Sequence, residues 1–179
     1  MNDGPSDTPV GPSLRQVPEG DDRERLVCPD CGFIDYRNPK VVTGAVCVWQ
    51  HRGQERVLLC KRAIEPRLGW WTIPAGFLEE RETMAEGAVR EVWEEARAEV
   101  EITAVIGFYQ VPRISQIYVI HAARMVSGDH DPGPESAETA LLPWDAIPWD
   151  DLAFPSVRWG LEQARGDTAR FPLMAVHDR

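Results

Sequence analysis

Two stretches, VVTGAVCVWQ (41–50) and ERVLLCKR (55–62), are β-branched or apolar along most of their length. Runs of this kind predict strands, and the intervening His51-Arg52-Gly53-Gln54 predicts a hairpin turn. A short strand is predicted from Trp71 to Ile73, ending at Pro74-Ala75-Gly76. From about Thr83 to Arg97 the rhythm changes. Met84, Ala88, Val89 and Val92 recur at helical intervals among charged residues, which predicts an amphipathic helix. Two further strand-like runs, VEITAVIGFYQV (100–111) and SQIYVIHAARMV (115–126), lead into the loop SGDHDPGPES and another strand, ETALLPW (138–144). A second helix is predicted over about Pro155 to Arg165, with Trp159 and Leu161 on its apolar side. Strands, helix, strands, helix, without an internal repeat, is the order of an α+β chain: helices packed on a mixed sheet as an α/β/α sandwich.

Ahead of this pattern the sequence reads differently. Residues 1–20 are rich in Pro, Gly, Ser and Asp and predict a flexible lead. Residues 26–40, LVCPDCGFIDYRNPK, predict a small turn-rich module built around Cys28 and Cys31. The expected organisation is therefore a lead over 1–20, a small segment over 21–40 and one main domain over 41–170. A length of 179 residues suits one well-buried domain, and a hydrophobic fraction of 43% suits a globular one. No apolar run approaches the roughly 20 residues needed to cross a bilayer. The N-terminal MNDGPSDTPVGPS lacks a signal-peptide core, so a cytoplasmic location is expected. A net charge of −10 argues against a nucleic-acid partner, because such binding runs on Lys and Arg neutralising phosphates.

The distribution of that charge matters more than its total. Glu79 to Glu99 holds eight Glu against three Arg, a net of −5 in a short stretch. One reading is a solvated acidic helix face. The other is a metal-binding helix, and spacing decides between them. Glu91, Glu94 and Glu95 lie at i, i+3 and i+4, on one face of a helix. Carboxylate oxygens suit Mg²⁺ or Mn²⁺, hard ions that bridge to substrate phosphates. A backbone carbonyl at Ala75 is placed to complete the coordination, and Gly76 permits a tight bend there. Arg90 is expected to point elsewhere and to brace the loop by pairing with Glu82.

Gly76, Glu82 and Arg90-Glu91-Val92-Trp93-Glu94-Glu95, at these intervals, resemble the signature of the Nudix hydrolases. The resemblance extends through RLVCPDCGFIDYRNPKVVTGAV, LLCKRAIEPRLGWWTIPAGF and DPGPES to a Nudix subgroup with an N-terminal zinc-ribbon-like segment. It implies a Nudix-type sandwich and metal-dependent cleavage of a nucleoside diphosphate linked to another moiety. For the subgroup that means ADP-ribose or FAD alike, with NADH third and AMP as a product. It also implies Glu91, Glu94, Glu95 and the Ala75 carbonyl as metal ligands, and it makes a homodimer plausible. Two departures stand out. The family carries Gly where this chain has Arg97, which implies a different or strained helix ending. The second CxxC of the subgroup falls here on Ser6-Asp7-Thr8-Pro9. A structural zinc wants four ligands, and only Cys28 and Cys31 have paired spacing, so the ribbon reads as degenerate and bound zinc is not expected.

Further residues carry weaker readings. Glu135 sits where relatives place an extra glutamate, as ligand or base, with Glu138 as competitor. Arg62 and Arg67 flank a loop and either clamp phosphate or form surface pairs. Trp70, Trp71 and Tyr109 either stack on a substrate ring or fill the core. The general base is Glu135 or one of the helix glutamates. A competing class is a Nudix fold that only binds a nucleotide, as a sensor or regulator, but that class would tolerate loss of the glutamates, and all three are present.

Overall fold

The computed structural model describes residues 11–166 and the backbone of 173–176. The chain divides into two compact units, Met1–Asn38 and Pro39–Arg179. The first holds three short antiparallel strands in the order β1 (Leu14–Gln16), β2 (Arg25–Val27), β3 (Ile34–Asp35). Leu14–Gln16 therefore lies within the stretch whose composition predicts a flexible lead. Its three residues are all exposed, so no hydrophobic alternation announces the strand; backbone pairing to Arg25–Val27 makes it. Residues 1–10 of that lead, and the stretch around 170 where the main domain was expected to end, lie outside the described residues.

The second unit is built on one sheet. Its members are β4 (Lys40–His51), β5 (Gln54–Arg62), β6 (Trp71–Thr72), β7 (Ala75–Phe77), β8 (Val100–Val111), β9 (Gln116–Met125), β10 (Ser136–Pro143) and β11 (Leu173–Val176). The strand path runs β10-β5-β4-β9-β8-β11, with β6 on β5 and β7 on β4. The sheet is mixed, since β4 and β9 run parallel, as do β8 and β11. Among the described residues no helix is long and apolar enough to cross a membrane.

Period-two alternation explains why helices cover both faces. Ala45, Cys47, Leu58 and Cys60 face α1 (Met84–Ala96), meeting its Ala88, Val92 and Ala96. Their neighbours Val46, Val57 and Leu59 face the other way, against Val157 and Leu161 of α2 (Pro155–Arg165). Each strand feeds two cores, which is why Val42–Cys47 is continuously buried. The α/β/α sandwich expected from the element order is the observed architecture.

Helix α1 departs from its apolar pattern in an informative way. Met84 and Val89, read as core positions, are 39% and 38% exposed, while Glu91 and Glu95 are 8% and 7% exposed. The buried stripe runs Gly87, Ala88, Glu91, Val92, Glu95, Ala96. Small side chains on the sheet below set the approach, and the site rather than hydrophobicity sets the rotation.

Candidate active site

The ends of α1 are fixed locally. Thr83 and Glu86 make a capping box: the Glu86 N–H donates to Thr83 Oγ1 (3.2 Å) and the Thr83 N–H to Glu86 Oε2 (2.8 Å). The Thr43 hydroxyl donates to the Met84 carbonyl at 2.6 Å, tying the first turn to β4. At the other end Arg97 takes the left-handed conformation (φ 50°) that the family's glycine would supply, with its N–H on the Trp93 carbonyl. The helix ending is thus conserved in shape at a cost of about 1–2 kcal/mol. The Arg97 side chain offsets part of that, donating to the Trp93 carbonyl (3.3 Å) and lying 5.7 Å from the indole centroid.

Along the buried stripe, Gly76 and Glu91 meet. A Cβ on Gly76 would run into the Glu91 carboxylate, so only glycine lets this carboxylate lie against the β7 backbone. Strand β7, which the hydrophobic pattern did not reveal, is held by β4 through Gly44↔Ala75 and Thr43↔Gly76.

Arg90 is not directed elsewhere; it stands among the carboxylates. It grips Glu82 with two bonds (Nε–Oε2 3.0 Å, Nη2–Oε1 2.8 Å), as the spacing suggested. It also donates to Glu91 (2.7 Å), Glu94 (3.1 Å) and the Phe77 carbonyl (3.0 Å). Arg90, followed by the Glu79 N–H, holds the Glu82 carboxyl down at about 2. Glu94 has a 54% exposed side chain and differs in this from its two buried neighbours.

Burial raises the Glu91 carboxyl above its ordinary value despite the pull of Arg90. Burial, then the charges of Glu91 and Glu135, push Glu95 up to about 8 against the opposing influence of Arg62 and the Ala75 backbone. The structure therefore brings Glu91, Glu95, Glu135 and Arg62 into one electrostatic neighbourhood. Glu135 arrives on the loop after β9, whose Asp131 and Gly133 N–H groups donate to the Ala96 and Glu95 carbonyls (2.9 and 3.0 Å). Its own carbonyl accepts from the Ala63 N–H at 2.8 Å. Glu138 is instead an exposed partner of Lys61 at 3.5 Å.

These groups line a cavity of about 1340 Å³, together with Arg67, Ala75 and Gly76. That is ample for a dinucleotide. Arg62 donates to the Pro66 carbonyl (2.8 Å) and lies over Phe154 (5.2 Å); Arg67 lies over Trp70 (4.6 Å). Among the described residues neither arginine forms an ion pair. Tyr109 does not reach the cavity: it is fully buried, with Trp159 stacked on it at 5.3 Å. Its cross-strand partner Tyr118 lines the cavity in its place, beside Gln116 and Ile120. Alternation along 116, 118 and 120 carried that signal. Trp70 and Trp71 are not among the lining residues, whereas Phe154 and Trp159 at the start of α2 are. No local motif marks Phe154.

Among the described residues no three His, Cys, Asp or Glu side chains converge as a ready-made metal cage. The donor set nonetheless fits a hard divalent ion. Buried carboxylates are costly without a cation, and the Gly76 cradle reserves space for one of them.

The NUDIX domain family matches residues 40–163, and the N-terminal zinc-ribbon module of Nudix proteins matches residues 11–37. The chain belongs to the Nudix hydrolase family. A solved NUDIX hydrolase from Nitrosomonas europaea is 40% identical, with a TM-score of 0.84 over 93% of this chain and 94% of that one. An ADP-ribose pyrophosphatase of Methanocaldococcus jannaschii is 29% identical over 103 residues, 55% of this chain and 60% of that protein. The NAD-capped RNA hydrolase NudC of Pseudomonas aeruginosa is 32% identical over 132 residues, 73% of this chain and 46% of that protein. This Nudix chain thus spans about half the length of the curated relatives it matches. The NUDIX domain of Shewanella oneidensis NrtR, solved with ADP ribose, shares the fold (TM-score 0.62 over 73% of this chain and 88% of that one, 24% identity).

Proposed function

We propose that this Nudix chain hydrolyses the pyrophosphate bond of a nucleoside diphosphate linked to another moiety, ADP-ribose or FAD, releasing AMP. The observation that carries the reading is the buried pair Glu91 and Glu95, facing a dinucleotide-sized cavity with Glu135 and Arg62. The names of the relatives support a pyrophosphate substrate.

In this reading Glu91, Glu95, Glu135 and the Ala75 carbonyl hold Mg²⁺ or Mn²⁺, with Glu94 as a further, exposed ligand. An ion held there would supply charge neutralisation on the phosphates and a more acidic water. The chain's own groups do the rest. Arg62 and Arg67, both lining the cavity, present guanidinium forks to the phosphate oxygens. Glu135, the carboxylate not carried on the helix, accepts the proton of the attacking water. Arg90 and Glu82 hold the β7 turn against α1, keeping Ala75 and Gly76 in place. Phe154, Tyr118 and Trp159 supply the apolar wall for a base.

The test is AMP release from ADP-ribose, FAD, NADH and an NAD-capped oligonucleotide with Mg²⁺ and Mn²⁺. Turnover of ADP-ribose or FAD supports the reading. Tight nucleotide binding without turnover of any of these sinks it in favour of a sensor.

A further inference from the structure

The Cys28–Cys31 turn is the chemistry-bearing feature that the proposed reaction leaves unused. It closes the β2–β3 hairpin: the Cys28 N–H donates to the Phe33 carbonyl (2.8 Å) and the Gly32 N–H to the Cys28 carbonyl (2.9 Å), with Gly32 at φ +74°. Such a knuckle aims backbone N–H groups at a sulfur. The Cys31 backbone, then that of Asp30, favours the Cys28 thiolate and lowers its pKa.

A zinc ribbon places two such knuckles around one ion, and this chain does not fit that ion. Residues 1–38 contain two cysteines and no histidine. Cys47 and Cys60 are fully buried in the sheet of the other unit. Two thiolates are half of a structural zinc site. The same unit holds an ion pair, Arg25 to Asp21 at 2.9 Å, with the guanidinium 5.2 Å from the Tyr36 ring. None of the four cysteines is in a disulfide. Cys31 is exposed and Cys28 is 4% exposed, so one thiol meets solvent and the other waits beneath it.

We propose that Cys28 and Cys31 form a redox-active dithiol whose co-reactant is a low-molecular-weight disulfide. The Cys31 thiolate attacks one sulfur of the disulfide, forming a mixed disulfide and expelling one thiolate. The Cys28 thiolate then attacks the Cys31 sulfur, closing the intrachain bond and expelling the second thiolate. Two protein thiols are oxidised, one disulfide is reduced to two thiols, and the protons of the cysteines pass to the leaving thiolates. Cys31 takes the attacking role because it is the thiol that a disulfide in solution can reach, and the buried Cys28 is its resolving partner.

The experiment equilibrates the full chain in glutathione buffers from reducing to oxidising, then alkylates free thiols under native conditions and measures intact mass and metal content. The expected oxidised chain is lighter by two hydrogens and has lost labelling at Cys31. Cys28→Ser is expected to trap a glutathione adduct on Cys31, and Cys31→Ser to form none. Stoichiometric zinc with both thiols protected overturns the proposal. So does a parent chain unchanged at the oxidising limit, or one that keeps a glutathione adduct on Cys31, which would show that Cys28 does not resolve it.

Discussion

In the Pro39–Arg179 unit the candidate site residues lie on a helix and a loop backed by a sheet with buried clusters on both faces, whereas in the Met1–Asn38 unit Cys28 and Cys31 lie in a turn between strands of two or three residues each. The larger unit buries carboxylates at Glu91 and Glu95, a cost that a wide core can carry. The smaller one has little apolar area to bury and relies on point contacts: a backbone knuckle, the Asp21–Arg25 pair and the Arg25–Tyr36 contact. The difference teaches where a motif can erode. The signature in the larger unit holds all three of its helix glutamates, whereas the smaller unit holds one CxxC pair and an ion pair.

The comparison can be broken most forcefully at Glu95. Glu95→Gln is expected to lower turnover by about 100-fold or more while the fold persists, because developing charge loses a preorganised partner. Turnover at saturating Mg²⁺ equal to that of the parent would show the site to be misplaced. Next comes Gly76→Ala, whose Cβ collides with Glu91. It is expected to cost about 1–3 kcal/mol of stability from overpacking and about tenfold in turnover, part of the roughly 100-fold that a 1 Å misplacement can cost. Thermal unfolding and steady-state kinetics check both. In the smaller unit, Arg25→Ala is expected to lower amide-exchange protection within residues 14–35 and leave turnover unchanged, because none of its described residues lines the cavity. Exchange rates that stay at parental values would show the ion pair to be dispensable.

The smallest effect sharpens the comparison through pH. His121 is 2% exposed, and its Nδ1–H donates to the Gly44 carbonyl at 3.1 Å. Burial lowers its pKa below the ordinary 6.5. Below pH 6.5 the unfolded chain binds a proton that the folded chain refuses, so this group's stabilisation is lost as pH falls toward the folded value. The slope is at most about 1.4 kcal/mol per pH unit. Glu95 acts in the opposite direction over the same range, so the slope of the parent is compared with that of His121→Gln, in which the histidine contribution vanishes.

Much of the larger unit was legible, because strands β4, β5, β8 and β9 and helix α2 follow hydrophobic periods closely. The misses share a physical cause. The rotation of α1 ran against its apolar pattern because two carboxylates, not Met84 and Val89, occupy the inner stripe. Tyr109 is open in the sequence between a substrate ring and the core, because an aromatic on a strand is as readily core as site, and only the register with Tyr118 separates the two. Arg90 was expected outside the acidic face, yet its long side chain bends back over it. Strand β7 is too short and too small in its side chains to register as a strand at all. The placement of Glu135 depends on backbone bonds between its loop and α1, which no side-chain pattern encodes.

That loop has a consequence for how this Nudix scaffold can change. Gly133 packs so closely on the Glu94 carbonyl that a Cβ would strike it, and the Asp131 and Gly133 amides occupy the last carbonyls of α1. Insertions or deletions between Asp131 and Glu135 would therefore uncap the helix and shift a carboxylate in a single step. The 62–70 loop carries Arg62 and Arg67 and closes mainly on itself, through Arg62–Trp70, Gly69–Arg62 and Trp70–Arg67 backbone bonds. Variation in substrate range has an open route through the second loop and a closed one through the first, so a library aimed at new dinucleotides belongs at 62–70.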